Sequence, residues 1–171
     1  VDMKAYDWTC FSKKLIIKAT AHQLFNFLTT QEGMESWFLR KCEFTRDGNQ
    51  LDSRSNVREG DQYFFLWHGW SDETYEAGRW LETKPNSKLG FTFNGNNATR
   101  MEVHITLQSH EEGTLLTLTQ SLIPDDENSR AHWHLGCLEG WVFYLTNLKS
   151  VAEGGLDLRN KNTNITGVFN A

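Results

Sequence analysis

The chain has 171 residues, 17 Lys plus Arg against 22 Asp plus Glu, a net charge of -5, seven Trp and eleven Phe. That length is one domain's worth and buries a bulky core without metal or disulfide staples. The acidic balance and the lack of any Lys/Arg run argue against nucleic acid and anionic membrane as partners, and no stretch approaches the roughly 20 apolar residues of a membrane span.

In chain order, Lys13 to Ala19 reads as a first strand, and Thr20 caps a helix over Ala21 to Leu28, where Leu24, Phe25 and Leu28 recur at helical spacing. A second short helix over Gln31 to Leu39 buries Met34, Trp37 and Phe38. Lys41 to Thr45 is the next strand, and Arg46 to Glu59 reads as a mobile polar loop without periodicity. Gly60 to His68, Tyr75 to Thr83 and Lys88 to Phe93 follow as strands, with turns at Lys84-Pro85-Asn86-Ser87 and Asn94-Gly95-Asn96-Asn97. Met101, Val103, Ile105 and Leu107 alternate with Glu102, His104 and Thr106; Glu111-Glu112-Gly113 then turns the chain into Leu116 and Leu118. Asp125 or Asp126 caps a long helix over Asn128 to Glu153, whose wide apolar face carries Trp133, Cys137, Leu138, Trp141, Tyr144, Leu145 and Leu148. Strands followed by one segregated helix predict an α+β fold with that helix across an antiparallel sheet.

Cys10, Cys42 and Cys137 are odd in number and widely spaced, without a CxxC pair, so they read as free thiols of a reducing compartment. Val1 to Lys18 lacks signal-peptide order, and a cytoplasmic location is expected. The glycosylation patterns at Asn97 and Asn164 then carry no meaning.

Several motifs in this order resemble the START-like (SRPBCC) superfamily, and within it the single-domain proteins related to the C-terminal domain of the activator of Hsp90 ATPase. They are Glu32-Gly33-Met34-Glu35-Ser36-Trp37-Phe38, Arg58-Glu59-Gly60, Gly78-Arg79-Trp80-Leu81-Glu82-Thr83-Lys84-Pro85, Gly113 to Thr119, and Gly140-Trp141 with Leu145 and Leu148. The resemblance covers about Lys13 to Val151 and implies a helix-grip (Bet v 1-like) fold, with a curved sheet around the C-terminal helix and two short helices closing one end. It places a START-like domain over residues 1–153 and leaves 154–171 as a tail. That tail is polar and Asn-rich, a composition that suggests disorder unless it packs on its own body or another chain. The chain lacks the additional N-terminal domain of the full-length co-chaperone, so Hsp90 activation does not carry over as a whole.

Three function classes follow. The leading one is a noncatalytic protein that binds a small hydrophobic or aromatic ligand between sheet and long helix, since such pockets are mostly apolar with a few polar groups. Trp37, Phe65, Trp67, Trp80, Phe91, Trp133, Trp141 and Tyr144 are its candidate walls, Cys137 lies on the inward side, and His134 and Tyr144 are the polar groups expected to fix the ligand. The second is an interaction module acting on a chaperone ATPase; Phe143, on the polar side of the helix, marks a potential homodimer contact. The third is a cyclase- or hydrolase-like enzyme, which requires two polar or titratable groups converging in the cavity. No nucleophile elbow, P-loop or dinucleotide motif is present, no cofactor is expected, and His132 and His134, at i and i+2, point to different sides of the helix and cannot share a metal. His68, in Trp67-His68-Gly69-Trp70, is a candidate titratable rim group. Glu102 and His104 are expected to face solvent.

Overall fold

Strand alternation builds one sheet. Met101, Val103, Ile105 and Leu107 are buried while their neighbours are not, so β7 (Met101–His110) turns one face to the core. The computed structural model describes residues 5–93 and 100–171. In chain order the remaining strands are β1 (Phe11–Ile17), β2 (Lys41–Arg46), β3 (Asn49–Gln50), β4 (Gln62–Leu66), β5 (Tyr75–Lys84), β6 (Lys88–Phe93) and β8 (Gly113–Ser121). They pair antiparallel in the order β1-β8-β7-β6-β5-β4-β2-β3, so the first strand closes onto the last of the meander. The turn expected at Asn94 to Asn97, like the pattern at Asn97, lies outside the described residues.

Helices α1 (Ala21–Thr29) and α2 (Gln31–Trp37) follow β1 directly. Thr20 and Gln23 form a capping box at α1, and the Thr30 hydroxyl caps α2 through the Gly33 amide at 3.0 Å. Gly33 is required by proximity: a Cβ there would sit 2.3 Å from the Asn26 carbonyl oxygen, so the corner between the two helices closes only without a side chain.

The segment Arg46 to Glu59, expected as a mobile loop, is instead tied down. It contains β3, the Leu51 amide donates to the Phe44 carbonyl at 2.8 Å, the Val57 amide to Thr29 at 2.9 Å, and Val57 is buried. The Val57 bond joins residues far apart in sequence, and β3 is only two residues long, too short for a periodicity to show.

At the C-terminal end, Asp126 caps the turn α3 (Glu127–Ser129) through the Ser129 amide at 2.9 Å. A π-helical segment (Arg130–Leu135) then runs without a break into α4 (Gly136–Ala152), with the Gly136 amide reaching back to Ala131. Trp141, Leu145 and Leu148 bury the inward face of α4 against the sheet. The architecture is an α+β helix-grip: a curved antiparallel sheet holding a long C-terminal helix, with two short helices at one end. No helix among the described residues is long and apolar enough to cross a membrane.

Candidate functional site

The interior of the grip is filled by rings. Trp37, Phe65, Trp80 and Phe91, expected as cavity walls, are each at most 2% exposed and pack on one another or on Phe38, Phe44 and Tyr63. None of the four lines an opening, because close-packed aromatics occupy the volume that a deep ligand would need. The core continues outward as a three-ring stack, with Phe38 lying 5.0 Å from Trp37 and 5.1 Å from Trp141, nearly parallel to both.

Where that stack ends, a cavity of about 430 Å³ opens at the mouth of the grip. Phe38, Phe93 and Trp141 form its buried floor, and the loop after β4 supplies Trp67 and Trp70. His132 and Trp133 of the π segment, with Cys137, Glu139 and Tyr144 of α4, form the helical wall. Val168, Phe169 and Ala171 of the tail complete the lining. Of the expected site residues, Trp67, Trp133, Cys137, Trp141 and Tyr144 are therefore brought together here. Two other clefts, of about 620 and 550 Å³, flank α1, but their polar side chains already bond one another, with Asn56 to Asn26 at 3.0 Å and His22 to Asn86 at 3.2 Å.

His134 is not part of this mouth. It is fully buried on the far side of the helix, its ring nitrogens bonded to the Tyr6 hydroxyl at 2.7 Å and the Trp8 carbonyl at 2.9 Å, with Phe11 against the ring. His134 lies in the π segment, whose wider turn departs from the regular step on which a helical wheel rests.

Polar groups lie behind the floor. Trp141 Nε1 donates to Gln120 Oε1 at 2.9 Å, and the Tyr63 hydroxyl donates to the Thr92 carbonyl. Glu76, on the inward face of β5, is 5% exposed, and its charge acts on both Tyr63 and Cys137. Burial pushes the Cys137 thiol up to about 11 and the Tyr63 phenol upward as well, so both keep their protons at neutral pH. A protonated thiol is a poor nucleophile. None of Glu76, Tyr63 and Gln120 was legible as a site residue, because alternation assigns a face to a strand residue without saying what polar partner awaits it there. His68 sits behind Trp67, half-buried; burial and the nearby Arg159 and Lys161 charges favour its neutral form. On the outer face of the sheet His104 bridges Glu82 and Glu102 at 2.9 Å on each ring nitrogen, in a half-exposed cluster away from the mouth.

The tail reaches the mouth by a built path. Arg159, with a 1% exposed side chain, donates to the Leu39 carbonyl at 3.0 Å and the Glu35 carbonyl at 2.9 Å and pairs with Asp157 at 2.8 Å. Asn147 of α4 accepts from the Leu158 amide at 2.7 Å and donates to Asp157 at 3.1 Å. At the outer end the Tyr144 hydroxyl donates to the Ala171 carbonyl at 2.6 Å, and Phe169 packs edge-on against Phe143 at 5.8 Å. Sequence composition misses this docking because its anchors are single polar residues whose partners lie in α2 and α4.

Residues 18–153 match the family described as Activator of Hsp90 ATPase homolog 1-like protein. The chain belongs to that family. The fold agrees with the START-like superfamily to which the sequence motifs point, and solved structures share it at low identity. A protein from Chromobacterium violaceum is 21% identical over 85% of this chain and 98% of its own, with a TM-score of 0.63. The Aha1 dimer from Colwellia psychrerythraea is 19% identical over 85% and 97%, with a TM-score of 0.67. DynU16, described as a putative protein in the dynemicin biosynthetic locus, is 16% identical over 90% of this chain and 50% of its own, with a TM-score of 0.68. No curated protein matches the chain. At these identities the structural likeness concerns the fold alone.

Proposed function

We propose that this chain binds a small hydrophobic or aromatic ligand at the mouth of its helix-grip, between the loop after β4, the π segment with α4, and the tail. The observation that carries the reading is the ring-lined cavity of about 430 Å³. That volume falls within the roughly 300–1,000 Å³ of small-molecule sites, which combine apolar walls with few polar groups. Trp67, Trp133, Trp141 and Tyr144 are the proposed contacts, with Cys137 as a neutral, protonated part of the wall. The neighbouring polar atoms of Gln120 and Tyr63 already have protein partners, which favours binding over proton transfer.

A thermal-shift series with small aromatic compounds tests the reading. A true ligand raises Tm progressively with concentration, by about 2.7 kcal/mol of stabilisation at one hundred times Kd. Trp133→Ala, at a half-exposed ring, leaves the fold intact and removes the shift. Concentration-independent Tm across the series would sink the proposal.

A second reading, an interaction module for a second copy or a larger ATPase partner, is favoured by the outward face of α4. Val142 is 47% exposed there and Leu135, at the end of the π segment, 51%, beside Phe143 and Phe169. Under that reading Val142→Glu abolishes association in sedimentation while the Trp133→Ala variant retains it.

A further inference from the structure

The cavity mouth has a distinct charge as well as a shape. Its lining contains no Lys or Arg, and its one acidic side chain is Glu139, which enters no ion pair among the described residues. Of the cations near the mouth, Arg40 pairs with Asp72 at 2.6 Å, while Arg159 and Lys161 share the single carboxylate of Asp157 at 2.8 Å each and lie outside the lining. Lys13 shares the neighbouring groove with Glu139, with no ion pair between the two. The rings of Trp67, Trp70 and Trp133, with Trp141 and Tyr144, line the opening.

Ring faces carry the negative side of the aromatic quadrupole, and a cluster of them around an opening attracts an organic cation more strongly than a neutral molecule of the same shape. A carboxylate at the rim acts in the same direction. An organic anion meets both opposed.

Resting on the binding function proposed above, we propose that the cavity selects hydrophobic cations, an aryl group joined to a substituted ammonium. The aryl part lies on the floor of Phe38 and Trp141, and the ammonium sits among Trp67, Trp70 and Trp133 facing Glu139. The class is set by chemistry: an aliphatic acid or a phosphate ester would place its charge near Glu139 with no Lys or Arg in the lining to meet it.

The test compares three probes of similar size by calorimetric titration: benzyltrimethylammonium, benzyl tert-butyl ether and phenylacetate. The cation is expected to bind about tenfold more tightly than the ether, with phenylacetate weakest. Glu139→Gln, at an exposed position that packs nothing essential, weakens the cation about threefold and leaves the ether unchanged, whereas Glu111→Gln on the β7–β8 turn alters neither. An ether that binds as tightly as the cation, a cation affinity unmoved by Glu139→Gln, or an equal loss with Glu111→Gln overturns the charge selection while the binding function stands. Should all three probes fail although other aromatic compounds stabilise the protein, the cation class is wrong. Failure of those compounds too rejects the binding function itself.

Discussion

Trp37→Ala is expected to lower stability by about 3–5 kcal/mol, the usual range for truncating a buried Trp or Phe. The ring is 1% exposed and lies against Phe38 at 5.0 Å, and its Nε1 donates to the Phe27 carbonyl at 3.0 Å. Truncation therefore opens a large void and strips a carbonyl at the end of α1 of its partner. Because a domain has only about 5–15 kcal/mol in hand, the urea midpoint should fall by roughly 2 M for a denaturant slope near 2 kcal/mol/M. Trp37→Phe keeps most of the volume and should cost less, about 1 kcal/mol for the lost hydrogen bond plus a smaller cavity term. Phe38 joins Trp37 to Trp141, so the alanine variant also loosens a ring that lines the mouth. An alanine variant within 1 kcal/mol of the parent would contradict the packed-core description.

Arg159→Ala should have the next largest effect, about 3 kcal/mol, the lower end for breaking a buried ion pair. Its guanidinium serves the Glu35 and Leu39 carbonyls at the C-terminal end of α2 and the Asp157 carboxylate at once; the two carbonyls lose this donor, and Asp157 keeps only Lys161, Asn147 and the backbone amide at position 159. Arg159→Lys should not restore the loss, because a single ammonium cannot reproduce the planar fork. With the anchor gone, the tail leaves the mouth, and limited proteolysis should cleave within residues 156–171 faster than in the parent. Unchanged tail protection would show that the outer contacts at Tyr144 and Phe143 suffice.

The same anchor gives the tail an acid dependence. Burial opposes ionisation of Asp157, but hydrogen bonds from Arg159, Lys161, the Arg159 amide and Asn147 outweigh it and hold the carboxyl well below the usual range. A folded-state value below the unfolded one means that the stabilisation is fully present above about pH 5 and is lost as pH falls through the folded value. Tail protection should therefore persist through mildly acidic pH and fail only in strong acid, and this dependence should vanish in Asp157→Asn.

Local rules carried most of the fold. The two-residue alternation in β7 and β8, the caps at Thr20 and Asp126, and the apolar face of α4 are each decided by neighbours within a few positions, and the structure repeats them. The site was only half legible for the opposite reason. Trp67, Trp133, Cys137, Trp141 and Tyr144 meet at the mouth because they share a helix face or a strand end, but Trp37, Phe65, Trp80 and Phe91 look the same in sequence and are core. Filling is a property of the whole set of rings, not of any one. His134 lies in a π turn that no periodicity announces, and Glu76, Asn147 and Arg159 owe their burial to partners distant in the chain.

The central claim is that ligands enter at the mouth and not the interior, and the seven Trp indoles report on this directly. In a titration with aromatic compounds followed by 15N–1H resonances of the indoles, Trp67, Trp70, Trp133 and Trp141 should shift in a saturable way while Trp8, Trp37 and Trp80 stay in place. Saturable shifts centred on Trp37 and Trp80, or none at the four mouth indoles with any compound, would contradict it.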